Sequence, residues 1–467
     1  MSRHYLSEAG KSGRLLYMSE ETRDFCRKVA VLVFPMALQN LINTGIASID
    51  VIMLGRVGEK VLSGASLGAQ VAFVMNLIVF GFCSGASVLI AQYWGKRDMR
   101  AIETVFGMSA KLTVLLALAF MLAALFIPNL LMRLFTNDPE VIRQGIAYLR
   151  VVGFSYPLNA LAMIYLNSMR NLGQVRVATV AYFCSLVTNV VVNSLFIFGL
   201  AGFPALGITG AAIGTVCARA MEVLIVLLYD RKVNPHFRMK LEFFFRRDPL
   251  LSKDFWTYTA PVVANELMWG LGMSTMAAIM GHLGSEVIAA NSVAQVSRNL
   301  ATVLGFGVAS AAAIMTGNVI GQGDRELARR NGRRFMILSV LTGLLGAGII
   351  LAVRPILLAT MVLTEGAARN LSFMLLVMAV YVIFQSVNTT AVVGIFRGGG
   401  DTRFGFFLDV GFMWGVGILG GFLSAFVFHA PTFIVILFLL CDEELKVPVT
   451  LIRYRTYKWL QDVTREG

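Results

Sequence analysis

The stretch LGRVGEKVLSGAS at residues 54–66 returns in altered form as MGHLGSEVIAANS at residues 280–292. Gly55 of the first copy matches Gly281 of the second, an offset of 226 residues (281 − 55). Further pairs keep this register, and after one inserted residue the offset becomes 227. These pairs are Pro35 with Pro261, Gly58 with Gly284, Gly95 with Gly321, Asp98 with Asp324, Pro128 with Pro355, Arg170 with Arg397 and Gly173 with Gly400. The chain is therefore predicted to contain two related halves.

The composition indicates that lipid surrounds much of the chain. Of its 467 residues, 57% are hydrophobic and 14% are charged, whereas soluble chains carry about 25% charged residues. A membrane helix needs about 20 mostly apolar residues, and twelve such runs can be read. They span residues 29–54, 62–92, 104–127, 142–166, 177–199, 207–229, 256–280, 288–317, 334–353, 371–394, 404–427 and 430–452. The last run is the weakest, because charged residues interrupt it.

The repeat and the runs together define the predicted fold. Six runs per half is an even number, so both halves enter the membrane the same way up, with a cleft between them. We predict an all-α membrane protein of twelve transmembrane helices in two pseudo-symmetric six-helix bundles. The predicted segments are a cytoplasmic N-terminal segment (1–28), an N-lobe (29–229), a cytoplasmic inter-lobe linker (230–255), a C-lobe (256–453) and a cytoplasmic tail (454–467).

The basic residues set the expected orientation. A formal net charge of +13 would suggest nucleic-acid binding in a soluble protein. Here Lys and Arg are spread over alternate loops, as the positive-inside rule expects of cytoplasmic loops. We therefore expect no nucleic-acid partner. Both termini are expected in the cytoplasm, and the chain in the cytoplasmic membrane of the cell.

Two carboxylates stand inside apolar runs with no basic residue within one helical turn: Asp50 in ASIDVIMLG and Glu266 in VANELMWG. A charge at mid-bilayer costs roughly 2.5–3.5 kcal/mol, so it persists where it pairs, faces water or functions. An unpaired carboxylate in a low dielectric favours its protonated form, and it can also bind Na⁺ together with neutral oxygens. Both residues are predicted to bind a coupling ion. The alternative is a carboxylate that nearby hydroxyl groups satisfy and that does nothing else.

Neutral oxygens for a site at Asp50 are offered by the fifth and sixth runs. Asn189 and Asn193 are four residues apart and share one helix face, and Thr215 lies in the sixth run. With Asp50 they would form a hard-oxygen site for a proton or for Na⁺. Equally, these side chains could serve only to hold helices together.

Aromatic and polar residues near the cleft are the candidates for substrate binding, because aromatic rings attract organic cations by about 0.5–2 kcal/mol. The candidate set is Phe34, Gln39, Asn40, Tyr156, Trp269, Arg298 and Tyr381. Asn40 occupies the repeat position of Glu266, and Arg298 could balance a buried acid or face the cleft. Glycines four apart predict close helix contacts. These pairs are Gly81 with Gly85, Gly210 with Gly214 and Gly411 with Gly415.

Several stretches resemble the multidrug and toxic compound extrusion (MATE) family. The resemblance rests on Pro35 with Asp50 and MLGRVG, on MGHLGSEVIAAN and Glu266 in the second half, and on RNLGQVR, FRGGGDTRF and YRTYKW. It extends over about residues 25–465. It implies a cation-coupled antiporter that expels organic cations and drugs, with two six-helix bundles in a V.

The resemblance also implies roles for single residues. The N-lobe cation site of the archaeal and DinF-type branch looks like Asp50, Asn189, Asn193 and Thr215. That branch often has an aspartate where Asn193 stands. Glu266 looks like the C-lobe glutamate of the NorM-type branch, whose second acid corresponds to Ser386 here. Both departures remove a negative charge.

The expected function is secondary active multidrug efflux, in which organic compounds, often cationic, leave in exchange for H⁺ or Na⁺ by rocker-switch alternating access. No cofactor beyond the coupling ion is expected, and the protein should act as a monomer in the bilayer. The open alternative is a flippase for a lipid-linked oligosaccharide or another amphipathic lipid. An enzyme is not expected, because no catalytic motif or metal spacing is present. The repeat and the buried acids disfavour a receptor or scaffold.

Overall fold

The computed structural model describes residues 20–234, 238–246, 248–361 and 363–465, and the regular structure in these ranges is helical. Residues 1–19 of the predicted N-terminal segment, parts of the linker and the last two tail residues lie outside them. The first half contains α1 (Glu20–Gly55), α2 (Glu59–Lys96), α3 (Met99–Phe126), α4 (Pro128–Arg133), α5 (Pro139–Val152), α6 (Ser155–Asn171), α7 (Arg176–Phe198) and α8 (Ile208–Lys232). The linker and second half contain α9 (Glu242–Phe245), α10 (Pro249–His282), α11 (Ser285–Gly321), α12 (Arg325–Thr360), α13 (Glu365–Phe396), α14 (Thr402–Val427), α15 (Thr432–Leu440) and α16 (Asp442–Arg455).

Each of the twelve predicted runs corresponds to a helix or a broken helix. Within the described ranges, nine helices are long and apolar enough to cross a membrane, and the pair α5–α6, bent by 51°, makes a tenth. The other two runs are α10 and the interrupted pair α15–α16, and these carry many of the polar side chains described below. The all-helical, multi-span fold is therefore confirmed.

The repeat pairs have identifiable structural roles. Asp98 accepts a hydrogen bond from the Ala101 backbone N–H at 3.0 Å, and Asp324 accepts one from that of Leu327 at 2.8 Å. Each aspartate therefore caps the helix that follows it, α3 or α12, by satisfying an amide at the helix N-terminus.

Gly95 and Gly321 form a reciprocal contact between the two halves. A Cβ on Gly95 would overlap the carbonyl oxygen of Asn318, and one on Gly321 would overlap that of Gln92. Since 318 − 92 and 321 − 95 both equal the repeat offset, the contact follows the pseudo-two-fold axis. It joins the ends of α2 and α11 that the charge pattern assigns to the cytoplasm.

The beginnings of α1 and α10 each pack on the opposite half. Phe25 lies edge-to-face on Phe335 of α12, with 5.0 Å between ring centroids, and belongs to a core formed mainly by second-half residues. Leu251 and Phe255 of α10 belong to the core of the first half. Leu251 is the repeat partner of Phe25, so the exchange is mutual. The predicted lobe boundaries, 29–229 and 256–453, do not describe this exchange, because the first turns of α1 and α10 pack on the other half.

Candidate functional site

A cavity with a volume of about 520 Å³ is lined by residues of both halves. Its walls are mostly apolar, with Phe73 and Phe80 from α2, Trp269 from α10 and Trp414 from α14. Six methionines also line this central cavity: Met163, Met268, Met273, Met276, Met280 and Met413. Aromatic rings and flexible thioethers fit apolar bodies of varied shape. The predicted candidates Trp269, Arg298, Tyr381 and Glu266 all line it.

Glu266 has a basic partner that is distant in sequence. Its Oε1 lies 2.8 Å from a guanidinium nitrogen of Arg397, whose side chain is 5% exposed. The same Arg397 nitrogen donates to the Ser84 hydroxyl on α2 at 3.1 Å. Arg397 follows a π-helical stretch, Thr390–Phe396, at the end of α13. The expectation that Glu266 stands without a cation therefore needs correction, because helix packing supplies one that also contacts the N-lobe.

A second polar group, the C-lobe charge cluster, comprises Asp409, Asp442, Glu443 and Lys446, all lining the central cavity. The buried Lys446 ammonium lies 2.9 Å from Glu443, 3.2 Å from Asp409 and 3.6 Å from Asp442. Asn265 donates to Asp409 at 3.1 Å. These side chains come from α10, α14 and α16, so three of the four charges that interrupt the last apolar run, Asp442, Glu443 and Lys446, line the cleft.

In the first half, Asp50 meets the two asparagines predicted for it. The Asn193 side-chain amide donates to Asp50 Oδ1 at 2.5 Å and to Asn189 Oδ1 at 3.2 Å. Gly214 permits this geometry, because any Cβ there would overlap Asn193 Oδ1. The structure thus brings together α1, α7 and α8 at one acidic group.

Thr215 lies near the same group, although its hydroxyl donates to the Ala211 carbonyl of its own helix at 3.1 Å. Tyr148 interacts with both Asp50 and Thr215. Arg219 is ion-paired to the buried Glu222 at 2.7 Å, as their spacing of three on one helix suggests. Asp50 thus has amide and hydroxyl neighbours and no ion-pair partner among the described residues.

Several predicted residues lie elsewhere. Phe34 is 68% exposed, Asn40 is exposed, and neither lines the central cavity. Gln39 is buried and donates to Thr179 at 2.9 Å, which ties α1 to α7. Tyr156 is buried in the N-lobe core. None of these four side chains lines the central cavity.

Ser386, which the family resemblance matches to a second acid, packs against α12. Its hydroxyl lies 3.0 Å from that of Thr342 on α12, and it does not line the central cavity. It lines a smaller pocket between α11, α12 and α13. The acidic partners that the sequence did not identify are those of the C-lobe charge cluster. The signal for them was the run Asp442 to Lys446, four charges in an otherwise apolar segment.

Comparison with known families supports the repeat directly. The MatE family model matches the chain twice, over residues 35–195 and 261–423. The two matches begin 226 residues apart, which is the offset read from the sequence. Together they cover more than half of the chain.

Similar proteins are bacterial and archaeal. The chain is 25% identical to the probable multidrug resistance protein NorM of Synechocystis sp., over 88% of this chain and 89% of the relative. It is 22% identical to multidrug resistance protein MdtK of Yersinia pseudotuberculosis, over 85% and 87%. Among solved structures, a MOP superfamily transporter from Pyrococcus furiosus has a TM-score of 0.83 at 18% identity, over 92% of this chain and 95% of that one. An outward-facing multidrug resistance MATE transporter has a TM-score of 0.81 at 17% identity, over 92% and 94%. These structural likenesses concern the fold.

Proposed function

Because this chain belongs to the MatE family, we propose that it is a secondary active multidrug efflux antiporter that exports organic, often cationic compounds in exchange for H⁺ or Na⁺. The observation that carries the proposal is the central cavity between the halves, with apolar aromatic walls and acidic groups at one side. Such a cavity favours amphipathic cations, which can bury an apolar body while a carboxylate balances their charge. The bacterial relatives are named as multidrug resistance proteins, which supports drugs as the substrates.

Transport follows from opening the cavity to each side in turn. The ends of α2 and α11 meet at Gly95 and Gly321, which would close the cytoplasmic side while the other side is open. Rocking of the two lobes would break this contact and open the cytoplasmic side. The protein would do so as a monomer in the cytoplasmic membrane, with both termini in the cytoplasm.

Asp50 is the proposed carrier of the coupling ion. It has amide and hydroxyl neighbours, and Asn193 Oδ1 beside it accepts no hydrogen bond from the described residues. That oxygen and the carboxylate suit a proton or Na⁺. Glu266 is a weaker candidate than Asp50, because Arg397 already balances its charge. One charge moving through 100 mV supplies about 2.3 kcal/mol, or roughly 50-fold accumulation.

The flippase alternative fits the cavity less well. A lipid-linked pyrophosphate needs a cationic surface, whereas the central cavity presents four carboxylates, Glu266 with those of the C-lobe charge cluster, against Arg298, Arg397 and Lys446. These seven side chains carry one net negative charge when all are ionised, which disfavours a pyrophosphate. A drug-like cation fits this surface better.

The test uses purified protein in liposomes, with flux of a fluorescent organic cation driven separately by ΔpH and by a Na⁺ gradient. We expect one of the two gradients to drive flux in the wild type. Under that gradient, flux in Asp50→Asn should be at least ~10-fold lower. An exposed acid-to-amide change, Glu286→Gln, serves as the control. No gradient-driven flux in the wild type would refute antiport, and full coupled flux in Asp50→Asn would refute the role of Asp50.

A further inference from the structure

The C-lobe charge cluster is not electrically balanced. Asp409, Asp442 and Glu443 surround one ammonium, that of Lys446, so two negative charges remain when all four groups are ionised. Burying unbalanced charge in a protein interior is costly unless further positive charge or hydrogen-bond donors are supplied. Asn388 donates to Glu443 Oε2 at 2.7 Å, so Glu443 is comparatively well satisfied. Both oxygens of Asp409 also have donors, Lys446 at 3.2 Å and Asn265 at 3.1 Å, so the deficit falls mainly on Asp442.

Unpartnered acceptors mark where the missing donor would bind. Asp442 Oδ1 and Asn265 Oδ1 are buried and have no hydrogen-bond partner among the described residues. Asp442 is 4% exposed and Asn265 is 6% exposed, and both residues line the central cavity. The orientation of the Asn265 amide is fixed, because its nitrogen donates to Asp409. Its oxygen is therefore the free group, and it can only accept.

The internal repeat provides an N-lobe position with which to compare the C-lobe charge cluster. Lys446 corresponds to Arg219 at the 227-residue offset, and Asp442 corresponds to Thr215. In the N-lobe, Arg219 forms an ion pair with a single carboxylate, Glu222. The C-lobe has the same basic position but adds acids around it. The N-lobe thus has a neutral residue where the C-lobe has Asp442 at this offset.

The basic residue also differs between the lobes, with Lys446 in the C-lobe and Arg219 in the N-lobe. A Lys ammonium is a compact charge on a flexible four-carbon stem, whereas the Arg guanidinium is a rigid fork. Of its three acidic neighbours, Lys446 is farthest from Asp442, at 3.6 Å. Lys446 can therefore keep Glu443 and Asp409 while a second cation approaches Asp442.

We propose that Asp442, Asn265 and Asp409 form a subsite for the ammonium group of an amphipathic amine, and that Lys446 is a built-in competing cation at this subsite. This inference rests on the proposed export of organic cations. The apolar body of the amine lies against Trp269, Trp414 and the methionines of the central cavity. Lys446 balances part of the negative charge when the subsite is empty, and it limits the affinity for the incoming ammonium.

The test is equilibrium binding to the full-length protein in nanodiscs, without any ion gradient. The probes are dansylcadaverine, a primary ammonium, and its neutral N-acetyl derivative, followed by dansyl fluorescence. Asp442→Asn should weaken dansylcadaverine binding by roughly tenfold or more, because one charge of a buried cation–carboxylate contact is lost. Lys446→Gln should strengthen it by a similar factor, because the competing cation is removed. The neutral probe should bind all variants alike.

Glu286→Gln is the matched control, since Glu286 is an exposed C-lobe acid outside the central cavity. Unchanged dansylcadaverine affinity in Asp442→Asn, or unchanged or weaker affinity in Lys446→Gln, would overturn the subsite. If Lys446→Gln does not fold, the comparison of Asp442→Asn with Glu286→Gln decides alone. The two proposals can fail separately. If the wild type shows gradient-driven flux but Asp442→Asn binds dansylcadaverine as the wild type does, only the subsite is refuted. If binding depends on Asp442 but no gradient drives flux, only antiport is refuted.

Discussion

Arg397 determines what Glu266 can contribute. The two residues are far apart in the chain but form an ion pair of 2.8 Å across α10 and α13. In the sequence, Glu266 has no basic residue within one helical turn. Only the packing of two helices, which local sequence does not encode, supplies Arg397. Asp50 has no such partner among the described residues, so the two acids differ more in their surroundings than their similar sequence settings suggest.

Removing either member of this pair should destabilise the protein. Arg397→Gln leaves a buried carboxylate, and Glu266→Gln leaves a buried guanidinium, at a cost of about 3–5 kcal/mol each. The double variant should be markedly more stable than the sum of the two losses predicts, because neither charge is then unpaired. Thermal unfolding in detergent measures this cycle.

The control for this cycle is Arg369→Gln, which removes an exposed arginine of the same lobe and should leave the unfolding temperature nearly unchanged. Strictly additive losses in the double variant would mean that the pair contributes no coupling energy.

At the scale of the helices, sequence patterns predicted where helices lie in the chain better than which helices contact each other. Within the described ranges, the apolar runs located all nine helices that are long and apolar enough to cross a membrane, since hydrophobic length follows directly from the thickness of the bilayer. Of the glycine pairs, Gly81 with Gly85 does meet α10, and Gly210 with Gly214 meets α7. A Cβ added to Gly411 or to Gly415 would have no neighbouring atom within 4 Å, so that predicted contact is wrong. A small residue allows close packing, but the neighbouring helix decides whether it occurs.

Gly214 provides a test of how α8 positions the Asp50 site. In Gly214→Ala the new methyl group would overlap Asn193 Oδ1, which should push α7 from α8 and move the Asn193 amide away from Asp50. We expect gradient-driven dye flux in liposomes to fall by about tenfold or more, in line with the usual 1–3 kcal/mol of overpacking. Gly411→Ala, which has open space around it, should transport normally. Equal flux in both variants would show that the Asp50 site tolerates this displacement.

For the whole molecule, the repeat predicted two halves and a cleft, because a fixed offset forces related folds. It did not predict the C-lobe charge cluster, whose residues come from two helices, α14 and α16. At the 227-residue offset, the N-lobe has Thr215 where the cluster has Asp442. Nor did the repeat predict that α1 and α10 begin on the opposite lobe, with Phe25 against Phe335. Both features depend on long-range packing. They are also the features in which the two lobes are coupled or differ, and hence the ones most relevant to transport.

The reciprocal contact at Gly95 and Gly321 should control which side of the cleft is closed. In Gly321→Ala a methyl group would overlap the Gln92 backbone carbonyl, a group that cannot rotate away as a flexible side chain could. Overpacking of this kind costs about 1–3 kcal/mol, and each 1.4 kcal/mol changes a population roughly tenfold. The substitution penalises only the state in which the lobes touch, so it should favour opening at this end.

Spin labels on the exposed residues Arg100 and Glu326, placed in a variant without the five native cysteines, would report the separation of the lobes at this end. Double electron–electron resonance should show longer distances in Gly321→Ala than in the parent protein. Gly348→Ala is the matched control, because nothing lies within 4 Å of its Cβ position, and its distance distribution should equal that of the parent. If Gly321→Ala also leaves the distribution unchanged, this contact does not close the cleft, and another part of the interface must hold the lobes together.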